Sequence, residues 1–102
     1  MITIRRPVLK QCPFKSELDA GELAIVLPGD APELHRLAAR IDMLCMDPCT
    51  HEDFTRAVLD LLPEGAEVVT TWHTGPWTVE VGENHAGLLR NPELGKDPCS
   101  HA

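Results

Sequence analysis

Cys12 and Asp19 stand seven residues apart near the start of the chain, and their side chains suit the addition of sulfur to an electrophilic carbon. In such a reaction a thiolate adds to the carbon, and a nearby carboxylic acid delivers a proton to the atom that gains negative charge. A structural role is the alternative, because free cysteine is among the most buried residue types. The pair is therefore interpreted as a nucleophile and a proton donor, with a buried cysteine as the competing possibility.

An acidic residue also stands at the predicted start of a helix. Glu52 would lie in the first helical turn, where the positive end of the helix dipole favours the ionised carboxylate. Two carboxylate oxygens match the ring N–H and the exocyclic amino group on the Watson–Crick edge of a guanine-like base. Glu52 is therefore a candidate for base binding, and the alternative is that it only stabilises the end of the helix.

Residue types that bind zinc occur at irregular intervals along the chain. The candidates are Cys45, Cys49, His51, Cys99 and His101. Structural zinc sites usually show paired close spacings at both ends, and this set does not. We therefore predict no metal, with Cys45 in the core of a first helix and Cys49 in the turn that follows it. A zinc-stabilised module is the alternative.

Two tryptophans, Trp72 and Trp77, flank a short segment that contains Gly75 and Pro76, residues typical of a tight turn. Their indole rings are large enough to stack on a nucleic-acid base. The alternative, which we favour, is a hairpin whose aromatic side chains pack at a boundary between subunits.

Hydrophobic periodicity predicts the elements that must position these residues. Extended segments are expected at 2–9, 22–27, 67–72 and 77–81. Cys12 and Asp19 would then lie together in the loop between the first two segments. This placement is what would allow the two side chains to act on one substrate.

Two amphipathic helices are predicted between the second and third extended segments. The first begins after an N-cap at Asp30, with Glu33 as its capping-box partner, and ends before Pro48. The second begins at Thr50, and an acid, Asp53, follows three residues later. The order strand–strand–helix–helix–strand–strand predicts an α+β fold in which two helices cover one face of a four-stranded antiparallel sheet.

The composition is typical of a single globular domain, with 102 residues of which 43% are hydrophobic and 25% charged. The net charge of −7 argues against broad binding of nucleic-acid phosphates, which needs a positive surface. No apolar run has the length of a signal-peptide core or a membrane span, so we expect a cytoplasmic protein with no membrane partner.

Residues 1–81 are expected to form the domain. Residues 82–102 are expected to form a C-terminal tail that is flexible or wraps a neighbouring subunit.

Cys12-Pro13, Asp19 and the pair His51-Glu52 follow one another in the order and spacing of a known motif. On these residues, over about 12–81, the chain resembles the 7-cyano-7-deazaguanine nitrile reductase family, and more closely its QueF-like amidinotransferase branch. The resemblance implies the tunnelling fold, in which sheets of several subunits join into a β-barrel. It also implies a homo-oligomer, as a pentamer or a decamer, with active sites at subunit boundaries.

The same resemblance implies a role for each motif residue. Cys12 forms a covalent thioimide with the nitrile of the substrate, and Asp19 acts as general acid and base. Glu52 binds the edge of the base, with help from His51. The substrate is 7-cyano-7-deazaguanine, either as the free base or within tRNA or DNA.

The chain departs from the reductases in the stretch 33–38, where their NADPH-binding signature is expected. The lysines of that signature are absent here, and a dinucleotide phosphate needs fixed cationic partners. The QueF-like branch also lacks the signature, and its members resemble archaeosine synthases, which add ammonia to the nitrile of a modified base in tRNA. We therefore expect an amidinotransferase-type enzyme that uses ammonia as co-substrate and no cofactor. The alternatives are an NADPH-dependent nitrile reductase acting on the free base and a non-catalytic base-binding or zinc-stabilised module.

Overall fold

The computed structural model describes residues 1–85, which form a four-stranded sheet and two helices. In chain order the elements are β1 (Ile2–Gln11), β2 (Leu18–Leu27), α1 (Leu34–Met46), α2 (His51–Leu59), β3 (Glu67–Thr74) and β4 (Trp77–Asn84). The strands lie in the order β1-β2-β3-β4, and each neighbouring pair is antiparallel. The α+β class and the ββααββ order predicted from the sequence are confirmed. Neither helix of this part of the chain is long and apolar enough to cross a membrane.

Both helices pack on the same face of the sheet. The cross-strand pairs Leu23–Thr70 and Ile25–Val68 define that face, and all four residues are buried. The helices complete the core with Leu37, Ile41, Phe54, Val58 and Leu59. Because strand side chains alternate between the two faces, the neighbours of these residues point away from the helices, towards the uncovered face.

The strands are longer than the sequence pattern predicts, and this changes the position of Asp19. β1 continues to Gln11 and β2 begins at Leu18, so Asp19 lies in a strand and its assignment to the loop is wrong. Hairpin pairing extends the strands because it satisfies backbone groups whatever the hydrophobicity of the side chains. β4 continues to Asn84, past the predicted end of the domain, and the tail from residue 86 onward lies outside the described residues.

The N-cap of α1 is Glu33 and not the predicted Asp30. The Glu33 carboxylate accepts hydrogen bonds from the backbone N–H groups of His35, at 3.0 Å, and Arg36, at 2.7 Å. Pro32 disfavours a helical conformation in the residue before it, so the helix cannot begin directly after Asp30. The residue predicted to be the partner of the cap is therefore the cap itself.

The β3–β4 hairpin turns through Gly75 and Pro76. Gly75 has a φ of +58°, in the left-handed region that glycine adopts without a Cβ clash. Glycine at the first central position is the pattern of a type II′ turn. Trp77 beside the turn is 71% exposed, whereas Trp72 is only 1% exposed. The favoured prediction that both rings pack at a subunit boundary is therefore wrong for Trp72, which lies in the core of its own chain.

Gly21 on β2 allows Trp72 to lie close to the sheet. The two residues are cross-strand partners, and a Cβ at residue 21 would lie 2.5 Å from Cε3 of Trp72 and 2.7 Å from the carbonyl oxygen of Thr71. Both distances are shorter than any relaxed contact between heavy atoms of this kind. The indole ring can occupy its position because residue 21 has no side chain.

Gly21→Ala is expected to lower the free energy of unfolding by about 1–3 kcal/mol, the usual cost of forcing extra atoms into a packed core. Urea unfolding followed by tryptophan fluorescence measures the change. Gly82→Ala is the matched control, because its added Cβ would meet only an ordinary contact with Val69 at 4.0 Å. Equal stability of the two variants would contradict the role of Gly21 as the space for the Trp72 ring.

Candidate functional site

The β1–β2 hairpin brings Cys12 and Asp19 to the same end of the sheet. Asp19 pairs with Lys10 across the hairpin, and Cys12 follows the end of β1. The N–H of Cys12 donates to the carbonyl oxygen of Glu17 at 3.1 Å, which closes the connecting loop. The Cys12 side chain is partly exposed, and the backbone N–H of Phe14 lies 3.4 Å from its sulfur. The thiol is therefore not sealed in the core, which was the competing interpretation of this cysteine.

An open cavity of about 720 Å³ lies at this end of the sheet. Cys12, Asp19, His51 and Glu52 all line it. The loop after Cys12 and the β3–β4 turn supply most of the remaining wall. A volume of this order is typical of small-molecule sites, which measure about 300–1,000 Å³. The structure thus brings the four residues singled out from the sequence to one cavity, although the hairpin and α2 are far apart along the chain.

The Asp19 carboxylate has two close partners. Its Oδ2 atom accepts a hydrogen bond from Nζ of Lys10 at 3.2 Å, and Nε2 of His51 lies 3.4 Å from the same oxygen. The side chain of Asp19 is 26% exposed. Asp19 is therefore fixed on one side and accessible from the cavity on the other, as a group that exchanges protons with a substrate must be.

His51 is held by a stacking contact with Trp72. The two ring centroids are 4.2 Å apart and the planes differ by 8°. Burial lowers the pKa of His51 below its usual 6.5, and the charge of Lys10 lowers this pKa further, while Asp19 and Glu52 act in the opposite direction. The net lowering favours a neutral imidazole at neutral pH, which can donate one hydrogen bond and accept another.

A row of hydroxyl groups fixes Trp72 behind the site. Its indole N–H donates to Oγ1 of Thr70 at 2.8 Å, and Oγ1 of Thr70 lies 2.6 Å from Oγ1 of Thr55. The Thr55 hydroxyl in turn donates to the carbonyl oxygen of His51 at 2.7 Å. The chain of bonds ties the first turn of α2 to β3, so the surface on which His51 stacks is rigid.

Glu52 is exposed in the first turn of α2, and the capping of this helix is done by another residue. Oγ1 of Thr50, the residue at which this helix was predicted to begin, accepts a hydrogen bond from the N–H of Asp53 at 3.1 Å. Thr50 is thus the N-cap, and α2 begins one residue later than predicted, at His51. Thr50 provides the cap, so Glu52 is not needed for that role, and it is exposed and lines the cavity.

Lys10 was missed by the sequence analysis, although it contacts the acid of the site. The side chain of Lys10 is fully buried, and Nζ donates to the carbonyl oxygen of Cys49 at 2.6 Å as well as to Asp19. One signal existed in the sequence, because Lys10 follows buried Val8 at the two-residue period of a strand face. Ending the first strand at residue 9 hid that signal.

The cysteines away from the cavity have other environments. Cys45 lies in the core of α1, as predicted, and burial raises the pKa of its thiol. Cys49 lies in the connection between the helices, also as predicted. Within residues 1–85 there is no cluster of three or more His, Cys, Asp and Glu side chains that could hold a metal ion. Cys99 and His101, which the zinc alternative requires, lie outside the described residues.

No family model, curated protein or solved structure matches the chain. The side chains around the cavity, and the motif that they form in the sequence, are therefore the features that indicate a function. These residues are the cysteine, the paired acid, and the His-Glu pair at the start of α2.

Proposed function

We propose that this chain is an amidinotransferase-type enzyme that adds ammonia to the nitrile of 7-cyano-7-deazaguanine within a nucleic acid. The observation that carries the proposal is the convergence of Cys12, Asp19, His51 and Glu52 on one open cavity. The first two residues supply the groups for addition to a nitrile, and the last two supply acceptors for a guanine-like edge. The resemblance of the same residues to the QueF-like branch supports the choice of substrate.

The first chemical step moves one proton and forms one bond. The Asp19 carboxylate accepts the proton of the Cys12 thiol, and the sulfur adds to the nitrile carbon. One π bond of the nitrile breaks, and its electron pair goes to the nitrogen, which receives the proton from Asp19. The product is a thioimide in which nothing has been oxidised or reduced, so this step needs no cofactor.

The second step replaces sulfur by nitrogen. Ammonia adds to the thioimide carbon, and the carbon–sulfur bond breaks with its electron pair on the sulfur of Cys12. The proton lost by the ammonia nitrogen returns through Asp19 to the thiolate. The modified base, still part of the nucleic acid, is released from Cys12 as an amidine of the archaeosine type. Its composition is that of the nitrile plus one ammonia, and the free thiol of the enzyme is restored.

The charges around the cavity favour ammonia over a hydride from NADPH. Two lysines line the cavity, and each has a carboxylate partner: Lys10 lies 3.2 Å from Asp19, and Lys15 lies 3.8 Å from Glu17. Phosphates of a dinucleotide need fixed cationic partners. Lys10 is fully buried against Asp19, and Lys15 is 72% exposed and held by no more than a weak surface pair. Neither lysine is a fixed cation at the cavity surface, so the reductase is the second candidate.

The proposal includes the tunnelling fold and its assembly. β1 and β4 are the outer strands of the described sheet, and outer strands offer backbone groups for pairing with another chain. Large apolar side chains are exposed on both strands, with Leu9 58% and Trp77 71% exposed. Pairing of β1 with β4 of the next subunit would join the sheets into a barrel of a pentamer or a decamer and cover these side chains.

Mass spectrometry tests the proposed reaction. The protein is incubated with the nitrile base in three forms, free, in tRNA and in DNA, each with and without ammonium. We expect intact protein to gain the mass of the free base covalently, and we expect nucleosides from one of the polymers to gain the mass of one ammonia. The gain should require ammonium and be independent of NADPH.

The other outcomes separate the alternatives. A product that gains four hydrogens and consumes NADPH would favour the reductase. Base binding without any covalent adduct or product in all three substrate forms would contradict the enzyme and favour the binding module. One zinc per chain, with unfolding on chelation, would favour the zinc-stabilised module.

A further inference from the structure

Lys10 places a buried positive charge directly behind the proposed acid. Its side chain has no exposed surface, whereas its partner Asp19 is 26% exposed. Nζ donates to Oδ2 of Asp19 at 3.2 Å and to the carbonyl oxygen of Cys49 at 2.6 Å. The same atom lies 5.4 Å from the centre of the Trp72 ring, on which His51 also stacks. Groups from β1, β2, β3 and the connection between the helices therefore meet at one ammonium.

Burial of a lysine is not by itself stabilising. Removing an ammonium from water costs several kcal/mol, and apolar side chains of similar size often replace buried ion pairs with no loss of stability. Val8, the preceding residue on the same face of β1, is buried and apolar, so the change to a charged side chain occurs at Lys10 itself. The charge at Lys10 therefore calls for a reason beyond packing, and its contact with Asp19 supplies one.

We propose that Lys10 is a positioning residue that holds the Asp19 carboxylate beside His51, at the cavity that Cys12 also lines, for proton transfer. This inference rests on the proposed function and deepens it, because it names a residue on which that function depends. Lys10 acts through Asp19 and does not itself contact the substrate.

The two hydrogen bonds of Lys10 explain how the carboxylate is fixed. The hydrogen bond to the Cys49 carbonyl holds the ammonium at the backbone just before α2. The hydrogen bond to Asp19 then links the carboxylate on β2 to the same fixed ammonium. The Asp19 carboxylate can then rotate away from the cavity only by breaking a charge-assisted bond. Asp19 becomes a carboxylate each time it gives a proton to the substrate. That carboxylate then forms an ion pair with the Lys10 ammonium.

Lys10→Met tests the inference in three measurements. First, the limiting rate of adduct formation with the free nitrile base should fall more than tenfold. The half-saturating concentration of base should stay within about threefold, because Lys10 donates its hydrogen bonds to Asp19 and Cys49 and not to Glu52, the proposed partner of the base edge. Second, the same substitution in the Asp19→Asn background should have little further effect, since residues that act through one another are not additive.

The third measurement does not require a reaction. The titratable groups that face His51 are Lys10 from β1, Asp19 from β2 and Glu52 from α2. Removal of the Lys10 charge should raise the pKa of His51, as measured by NMR titration of its imidazole. A mere loss of packing would not produce this shift together with the non-additivity.

Controls separate positioning from general damage. Arg40→Met removes an exposed cation from α1 and should leave the rate and the His51 titration unchanged. Lys10→Gln, which keeps a hydrogen-bond donor without the charge, replaces Lys10→Met if that variant fails to fold. The inference would be overturned if Lys10→Met slowed adduct formation by the same factor in the wild-type and Asp19→Asn backgrounds. It would also be overturned if the pKa of His51 stayed unchanged in Lys10→Met. If the wild type forms no adduct, the proposed function fails, and the inference fails with it even if the NMR titration shows the expected shift.

Discussion

Cys12→Ala is expected to abolish the covalent adduct with 7-cyano-7-deazaguanine and to lower turnover by about 10³-fold or more, the scale seen when an enzyme loses its nucleophile. The expectation follows from the mechanism, in which the carbon–sulfur bond is the first intermediate. Intact-protein mass spectrometry reports the adduct, and analysis of the product nucleoside reports turnover. Binding of the base should persist, because its proposed partners, Glu52 and His51, are unchanged.

Cys45→Ala provides the matched control for the loss of a thiol. Cys45 lies in the core of α1, and burial raises the pKa of its thiol, so little thiolate is available for addition. This variant should retain the adduct, at some cost in stability from the lost packing. If the adduct survives in Cys12→Ala but disappears in Cys45→Ala, the nucleophile is Cys45 and not Cys12. That result would refute the proposed site.

Asp19→Asn is expected to lower the rate of thioimide formation by about 10²–10⁴-fold, the usual contribution of a general acid or base. Asparagine has nearly the same shape as aspartate and can accept a hydrogen bond from Lys10, so the hairpin should keep its geometry. Its amide cannot take a proton from the thiol and return it to the nitrile nitrogen. Single-turnover measurements with the free base, followed by mass spectrometry, give the rate.

Glu17→Gln is the control for this prediction. Glu17 is an exposed carboxylate in the same hairpin, and among residues 1–85 it forms an ion pair with Lys15 alone, at 3.8 Å on the surface. Removal of its charge should change the rate by less than about threefold, because exposed ion pairs contribute little. Comparable rates for Asp19→Asn and the wild type would mean that another group moves the proton.

The order of the elements could be predicted because it depends on residues close together in the chain. Leu37, Ile41 and Cys45 recur at the helical period, and Thr50 lies at the start of α2, where its hydroxyl caps the helix. The limits of the elements were less predictable. Asp30 has the composition of an N-cap, but the backbone restriction imposed by Pro32 leaves that role to Glu33.

Part of the candidate site could also be predicted from the sequence. Cys12, Asp19, His51 and Glu52 were identified by residue type and by the order of the motif, and they do line one cavity. Their chemical roles stay predictions. The spacing of a motif indicates which residues are candidates for the site. It does not indicate which side chains from other strands lie beside those residues.

The sequence by itself determined the ββααββ order and the four candidate residues, because periodicity, capping and motif spacing are local properties of the chain. Only the tertiary structure decided that Lys10 pairs with Asp19 and that Trp72 supports His51. These contacts join β1 to β2 and β3 to α2, and they depend on strand register and on which face each residue occupies. A shift of one residue in register would turn Lys10 to the opposite face, so pairing across strands, and not residue type, placed its charge beside the acid.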